Sequence, residues 1–259
     1  MSPAAGRWGW VAGIAAAVLL VAWSVKGLEF QGIQETAKVM SKAMIKGLLH
    51  PDWKYVWLPE GEDLIRNLLM TLSISYLGNI VSMIVCIPLA FWAAANMSRS
   101  RLVSGSGKIV LSVIRTVPEV IMAIIFIKAV GPGAYAGVLA LGVHSVGMLG
   151  KLYAEAIENM DMGPIEALTA CGANRWQTLA FAIIPQVLPD FMSYALYRFE
   201  INVRSATLLG IIGAGGIGTP LIFAINGYSW PRVGIILLGI IVTVSIIDYI
   251  SGSLRRRIV

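Results

Sequence analysis

Four polar residues stand in an apolar stretch: Arg198, Glu200, Asn202 and Arg204. Counted from Pro185, the three charged ones fall on the order of 20–28 Å along a helix at about 1.5 Å per residue, well inside a membrane. A charge at that depth costs roughly 2.5–3.5 kcal/mol even on the lenient insertion scale, so such groups face a protein interior or a wet cavity and find partners. Glu200 and Arg204 are spaced i,i+4 and can pair, and Arg198 precedes Asn202 by one turn. A guanidinium donates two parallel hydrogen bonds to a tetrahedral oxyanion, which would make the group an electropositive lining for such an anion. The same residues also suit a structural ion-pair network that locks helices together, and both readings stay open.

Arg115 and Glu119 form a second i,i+4 pair around Thr116-Val117-Pro118, where the proline removes a backbone hydrogen bond and kinks a helix. The kink reads as a gate or as a bend held by packing. His144 and Lys151 share a helical face with Gly147; His144 is a candidate ligand or proton sensor, or an interhelical hydrogen-bond partner. No Cys/His ligand set, Ser-His-Asp arrangement or supported carboxylate pair is present, so neither a metal site nor catalysis is expected. Cys86 and Cys171 suggest neither a disulfide framework nor a thiolate site.

The elements that must position these residues are membrane helices. The 259 residues are 57% hydrophobic and 13% charged, outside the balance of a soluble domain. The net charge of +6 is scattered between apolar segments and forms no basic face, which argues against nucleic acid. Expected spans are 8–26, 67–95, 109–130, 137–157, 179–212 and 233–250, the first a retained helix with no cleavage site behind it. Six crossings put both termini on one side with Arg7, Arg99, Arg101, Lys108, Arg175 and Arg255 to Arg257, which the positive-inside rule places in the cytoplasm. The segment 26–66 disagrees, with Lys26, Lys38, Lys42, Lys46, Lys54 and Arg66 on the expected outer side. Its own pattern explains it: Ile33, Ala37, Met40, Met44 and Leu48 share one helical face opposite Lys38, Lys42 and Lys46, as in a helix lying on a membrane surface. His50-Pro51-Asp52 ends that helix, and Trp53, Tyr55 and Trp57 suit the interface.

The most specific motif is Glu166-Ala167-Leu168-Thr169-Ala170-Cys171-Gly172, followed by Ala182-Ile183-Ile184-Pro185, on a loop expected in the cytoplasm. Gly172 accepts the left-handed conformation that closes a helix, so the segment forms a short, rigid knob. These residues resemble the EAA loop of ABC importer permeases, keeping its Glu, first Ala, Gly and Pro at the family spacings, with Leu168, Ala182 and Ile184 departing conservatively. Further matches are to phosphonate-type permeases: Lys151 to Glu158, Pro185 to Pro189, Leu196 to Thr207, and Gly213-Ala214-Gly215-Gly216-Ile217-Gly218. The resemblance covers roughly residues 64–252 and is strongest over 150–218. The glycine cluster is followed by neither the Lys-Ser/Thr of a P-loop nor a Rossmann acid, so the chain is not expected to bind ATP. Gly213, Gly215, Gly216 and Gly218 instead break the helix, as a gate or close backbone approach at the outer end of the fifth span or across a dimer interface.

The resemblance implies an all-α, polytopic type I importer permease of the bacterial inner membrane, methionine-permease-like in its core. Its domains would be residues 1–63, an extra span plus surface helix, and 64–259, with a coupling loop at 158–178. Glu166, Ala167 and Gly172, with the adjoining Ala173, Asn174 and Arg175, would dock into an ATPase subunit that uses ATP and Mg; the chain itself would hold no cofactor. An extracytoplasmic phosphonate-binding protein and a second permease, another copy in a homodimer or a related chain, complete the implied assembly. The implied cargo is phosphonates, with phosphite, hypophosphite or phosphate esters as alternatives and a methionine-type amino acid behind them. A membrane-embedded enzyme or scaffold would instead work without an ATPase.

Overall fold

The computed structural model describes residues 4–26, 36–58, 63–98 and 100–258, and every regular element among them is helical. The chain divides into two units, residues 1–45 and 46–259. The first contains α1 (Ala4–Lys26), whose described side chains from residue 13 to 25 are all exposed and almost entirely apolar, as suits a lipid solvent. It also contains most of α2 (Thr36–Leu49), which carries Lys38, Lys42 and Lys46 beside the exposed Met40, Met44 and Ile45. Ile33, expected on the apolar face of α2, and Arg99 lie outside the described residues.

The second unit opens on the end of α2. Gly47 lies so close to Trp230 that any side chain there would collide, and His50 Nδ1 donates to the Lys46 carbonyl where the helix stops. Asp52 then caps a 3₁₀ turn, Trp53–Val56, by accepting from the Lys54 amide. Trp53 and Trp57 are exposed as expected, whereas Tyr55 turns inward beneath the Arg232 guanidinium, 4.9 Å from its ring centroid.

The bundle is built on α3 (Leu64–Ala93) and α6 (Ala134–Glu158), which pack along their lengths. Gly78 of α3 fits against Leu141 and Gly142 of α6, and Gly142 against Val81; the absent side chains let the backbones approach, as membrane helices require when no hydrophobic force drives them together. Asp63 caps α3 by accepting from the Arg66 amide. Around this pair stand α4 (Arg101–Thr116), α5 (Glu119–Val130) and α9 (Ile184–Ile211), with α10 (Gly218–Asn226) and α11 (Trp230–Ile258) packed on α9. Tyr153 of α6 stacks on Phe191 of α9 at 3.9 Å between centroids and donates to the Phe191 carbonyl, joining the two helices at one end of the core.

The six expected spans map onto α1, α3, the α4–α5 pair, α6, the stretch ending in α9, and α11. Among the described residues four helices are long and apolar enough to cross a membrane, α4 with α5 makes a fifth only as a broken span, and Gly13–Val25 of α1 is a shorter apolar helix. Here the structure corrects the expectation of a kink. The two helices meet at 81°, because Val117, which precedes proline, is extended at ψ 119° and ends α4 outright. The loop expected over 219–230 holds α10, and α11 continues through Arg255 to Arg257, so that tail is helical.

At the far end of α9 the chain reverses through Gly213, Gly215 and Gly216, with φ of 97°, 82° and 79°, which L-side chains rarely adopt. The Ile217 amide donates to Thr71 Oγ1 at 2.8 Å and the Gly133 amide to the Gly213 carbonyl at 2.9 Å, tying the turn to α3 and to the α5–α6 connection. Gly216→Ala combines a disfavoured φ with a Cβ 2.6 Å from Thr71 Oγ1 and is expected to destabilise by roughly 1–3 kcal/mol, read as a lowered Tm in detergent. Gly105→Ala, in open space on α4, should leave Tm unchanged or raise it slightly.

Candidate functional site

Between α6 and α9 the chain projects as α7 (Gly163–Ala170) and α8 (Arg175–Thr178), neither of which has a buried residue. The approach to α7 is held by Asp161: its carboxylate accepts from the Gly163 amide, its own amide donates to Gln186 Oε1, and its carbonyl accepts from Gln186 Nε2. Gly172, at φ 80°, closes α7. Its amide donates to the Thr169 carbonyl and the Ala173 amide to the Leu168 carbonyl, the two bonds of a Schellman motif. Asn174 and Gln177 then form a reciprocal capping box that starts α8. Glu166 and Ala167 are exposed on α7, Gly172 and Ala173 make its closing turn, Asn174 is the cap, and Arg175 is exposed at the head of α8. Trp176 and Phe181, which the motif does not include, are 79% and 73% exposed and give the projection exposed apolar surface. A π-turn, Leu179–Ile183, joins this knob to α9.

The polar residues of α9 separate into two groups. Arg198 and Asn202 face inward: Arg198 is 4% exposed, and its Nε donates to Ser145 Oγ at 2.9 Å. Ser145 in turn donates to Asn202 Oδ1, while Ser75 of α3 donates to the Asn202 carbonyl. Arg198 Nη2 has no hydrogen-bond partner. Glu200 and Arg204 face α11 instead. Arg204 donates to Glu200 at 2.9 Å and to Asp248 at 2.7 Å, and Arg255 donates to the other Glu200 oxygen at 3.0 Å. The expected Glu200–Arg204 pair is therefore present, but the arginines do not form one lining.

Arg115 and Glu119 are separated by the break at Val117-Pro118, and no ion pair joins them. Glu119 has partners of its own: Ser205 of α9 donates to its Oε1 at 2.8 Å, and His144 Nε2 stands 3.9 Å from its Oε2. His144 Nδ1 donates to the Val117 carbonyl at 3.1 Å, so this nitrogen carries the proton and the imidazole meets a backbone acceptor that the break releases. Gly213, Gly215, Gly216 and Gly218 lie together at the reversal beyond α9, remote from α7 along that helix. Sequence reasoning missed Asp248 and Arg255, although a lone acid in the last apolar span is itself a signal; Ser145 and Ser205 carried none.

Three comparisons place this geometry among known proteins. Residues 86–259 match the family described as binding-protein-dependent transport system inner membrane component. The chain is 41% identical over 253 residues to the phosphite transport system permease protein PtxC of Stutzerimonas stutzeri, covering 96% of this chain and 88% of that one. It is 38% identical over 199 residues to the phosphate-import permease protein PhnE of Mycolicibacterium smegmatis, covering 77% of this chain and 37% of that one. In fold it is similar to a chain of the inward-facing MetNI methionine ABC transporter, with TM-score 0.65 at 19% identity, covering 76% of this chain and 96% of that one.

The two groups on α9 should differ in energetic weight. Ser145→Ala removes the acceptor of a buried guanidinium and is expected to destabilise by about 1–3 kcal/mol. Asp248→Asn weakens one half-exposed pair and should cost about 1 kcal/mol or less. Thermal unfolding of the two variants in the same detergent checks the order.

Proposed function

The chain belongs to the family of binding-protein-dependent transport system inner membrane components, and we propose that it is the permease subunit of an ATP-driven importer for small phosphorus oxyanions. The observation that carries this reading is the 41% identity to a phosphite permease across 96% of the chain. Phosphite, phosphonates and phosphate share the tetrahedral, anionic headgroup that the substrate class names, and the 38% identity to a phosphate-import permease supports that breadth.

In this reading the protein lies in the bacterial inner membrane with both termini in the cytoplasm, on the side of Arg101, Lys108, Arg175 and Arg255 to Arg257. The α7–α8 knob docks into a partner ATPase, which binds ATP and Mg and supplies the energy; this chain holds no cofactor. Glu166, Ala167 and the turn from Gly172 to Arg175 form the contact, joined by Trp176 and Phe181. Because Asp161 and Gln186 bind the root of the knob to the start of α9, a push on α7 reaches α9, with the π-turn as the place where the helix has give. An extracytoplasmic binding protein delivers the anion at the opposite end, where Gly213 to Gly218 form the outer gate. A second copy completes the pathway as a homodimer, and the pair alternates between inward and outward arrangements as the ATPases close and open. The contacts of Arg198, Asn202 and Glu119 hold the helices as a unit, and the Glu200–Arg204 group ties α11 to them.

With ATPase and binding protein in proteoliposomes, phosphite, aminoethylphosphonate or phosphate is expected to stimulate ATP hydrolysis, and methionine is not. Glu166→Arg should cut that stimulation at least about tenfold, the equivalent of losing one good contact. Stimulation by methionine alone would overturn the substrate class, and a normally working Glu166→Arg complex would overturn the coupling contact.

A further inference from the structure

The break at Pro118 sends Glu119 to Ser205 and His144 and leaves Arg115 on the other side of α4. There it meets a cavity of about 200 Å³ between α4 and α6, lined by Lys108, Ser112, Arg115, Lys151, Glu155 and Glu158 among others. The backbone of Arg115 rests on Gly147, where an added Cβ would come within 2.7 Å of the Arg115 amide nitrogen. That contact sets Arg115 one helical turn above Lys151, and Lys108 lies two turns below Arg115 towards the end that leads to α7.

Three cations and two carboxylates share this space, leaving one positive charge in excess. The carboxylates are already engaged at the mouth: Glu158 Oε1 takes Lys108 at 2.8 Å and the Ala95 amide at 2.7 Å, and Glu155 takes Lys151 at a loose 3.5 Å. Arg115 has no ion pair or side-chain hydrogen bond among the described residues. It is exposed, and the Lys151 and Glu155 side chains are 52% and 47% exposed on α6, a helix long enough to cross a membrane. Lipid does not tolerate such a row of charges, so this face borders water. A cavity of this size has room for several waters or for one small tetrahedral anion with part of its hydration.

We propose that this cavity is an anion-binding station on the release half of the pathway, where Arg115 and Lys151 take a phosphorus oxyanion in transit. The inference rests on the importer reading and adds a site to it. Arg115 offers two parallel donors to two oxygens of the anion and Lys151 a third. Glu155, one turn from Lys151, competes for the ammonium and keeps the station weak enough to empty. Lys108 and Glu158 hold the mouth open as a pair towards the α7 end.

The test is the number of anions imported per ATP hydrolysed, in proteoliposomes of the complete transporter, using labelled phosphite and labelled phosphate. Arg115→Gln combined with Lys151→Gln should lower that ratio about tenfold, the loss expected for a charge-assisted hydrogen bond. Arg115→Lys, which keeps the charge, should retain most of it. Co-purification of the ATPase with each variant reads assembly separately. Import at the wild-type ratio by the double variant overturns the station, as does an equal failure of Arg115→Lys and Arg115→Gln. The assay is run in phosphatidylcholine alone and with phosphatidylglycerol added. A defect confined to the phosphatidylglycerol vesicles would give the cavity to a lipid headgroup and overturn the proposal. Failure of the wild-type complex to import either anion would instead sink the importer reading.

Discussion

The Val117 carbonyl, packed against α6, loses its helical partner where Pro118 ends α4. An unsatisfied backbone group in such a place costs several kcal/mol, so the break exists only where another element can answer it. His144 of α6 does so, donating from Nδ1. The choice of tautomer follows, since a carbonyl only accepts, and it turns Nε2 towards Glu119. Glu119 is then fixed at the head of α5, where the helix N-terminus favours a carboxylate and Ser205 of α9 reaches it. One proline thus decides where α4 ends, where α5 points, which proton His144 carries and which helix Glu119 binds.

The same accounting sorts the charges of α9. At 100° per residue, Arg198 and Asn202 share one face and Glu200 and Arg204 another. The inner face finds neutral partners, Ser145 and Ser75. The outer face finds full counter-charges on α11. Neutralisation by direct pairing is therefore spent on the half-exposed group, whereas the buried arginine is held by the Ser145 hydroxyl, itself bonded to the Asn202 amide, and by the Met148 thioether. A charge held that way depends on several helices at once, so the core of α3, α6 and α9 behaves as one block.

Much of this was legible in the sequence, and the failures have a common cause. Membrane helices announce themselves by length and apolarity, and a glycine-closed knob by Gly172, so the bundle and α7 were both expected where they lie. The Arg115–Glu119 pair was misread because i,i+4 spacing is meaningful only along an unbroken helix, and the proline that breaks it stands between the two residues. Arg255 was read as part of a basic tail; since α11 continues to Ile258, the helix carries it back to Glu200. Ser145 and Ser205 look like any small residue of a span, and only the fold reveals what they hold. The segment Gly218–Asn226 passed for a loop because its flanking glycines mark turns at both ends and conceal the apolar helix between them.

These distinctions bear on which parts of the molecule are able to move. The glycine seam between α3 and α6 brings backbones into contact and leaves no room for sliding without collision. The inner polar network binds α9 to that seam. The 81° junction of α4 with α5 and the glycine reversal beyond α9 are tied as well, the first by His144 and Ser205 and the second by Thr71 and Gly133, which leaves the π-turn Leu179–Ile183 as the place where the long helix departs from regular geometry. That turn joins the α7–α8 projection to the bundle. A block held by several helices at once moves as a unit, so a shift of one of its helices is shared by the others instead of dissipating in side-chain rearrangement.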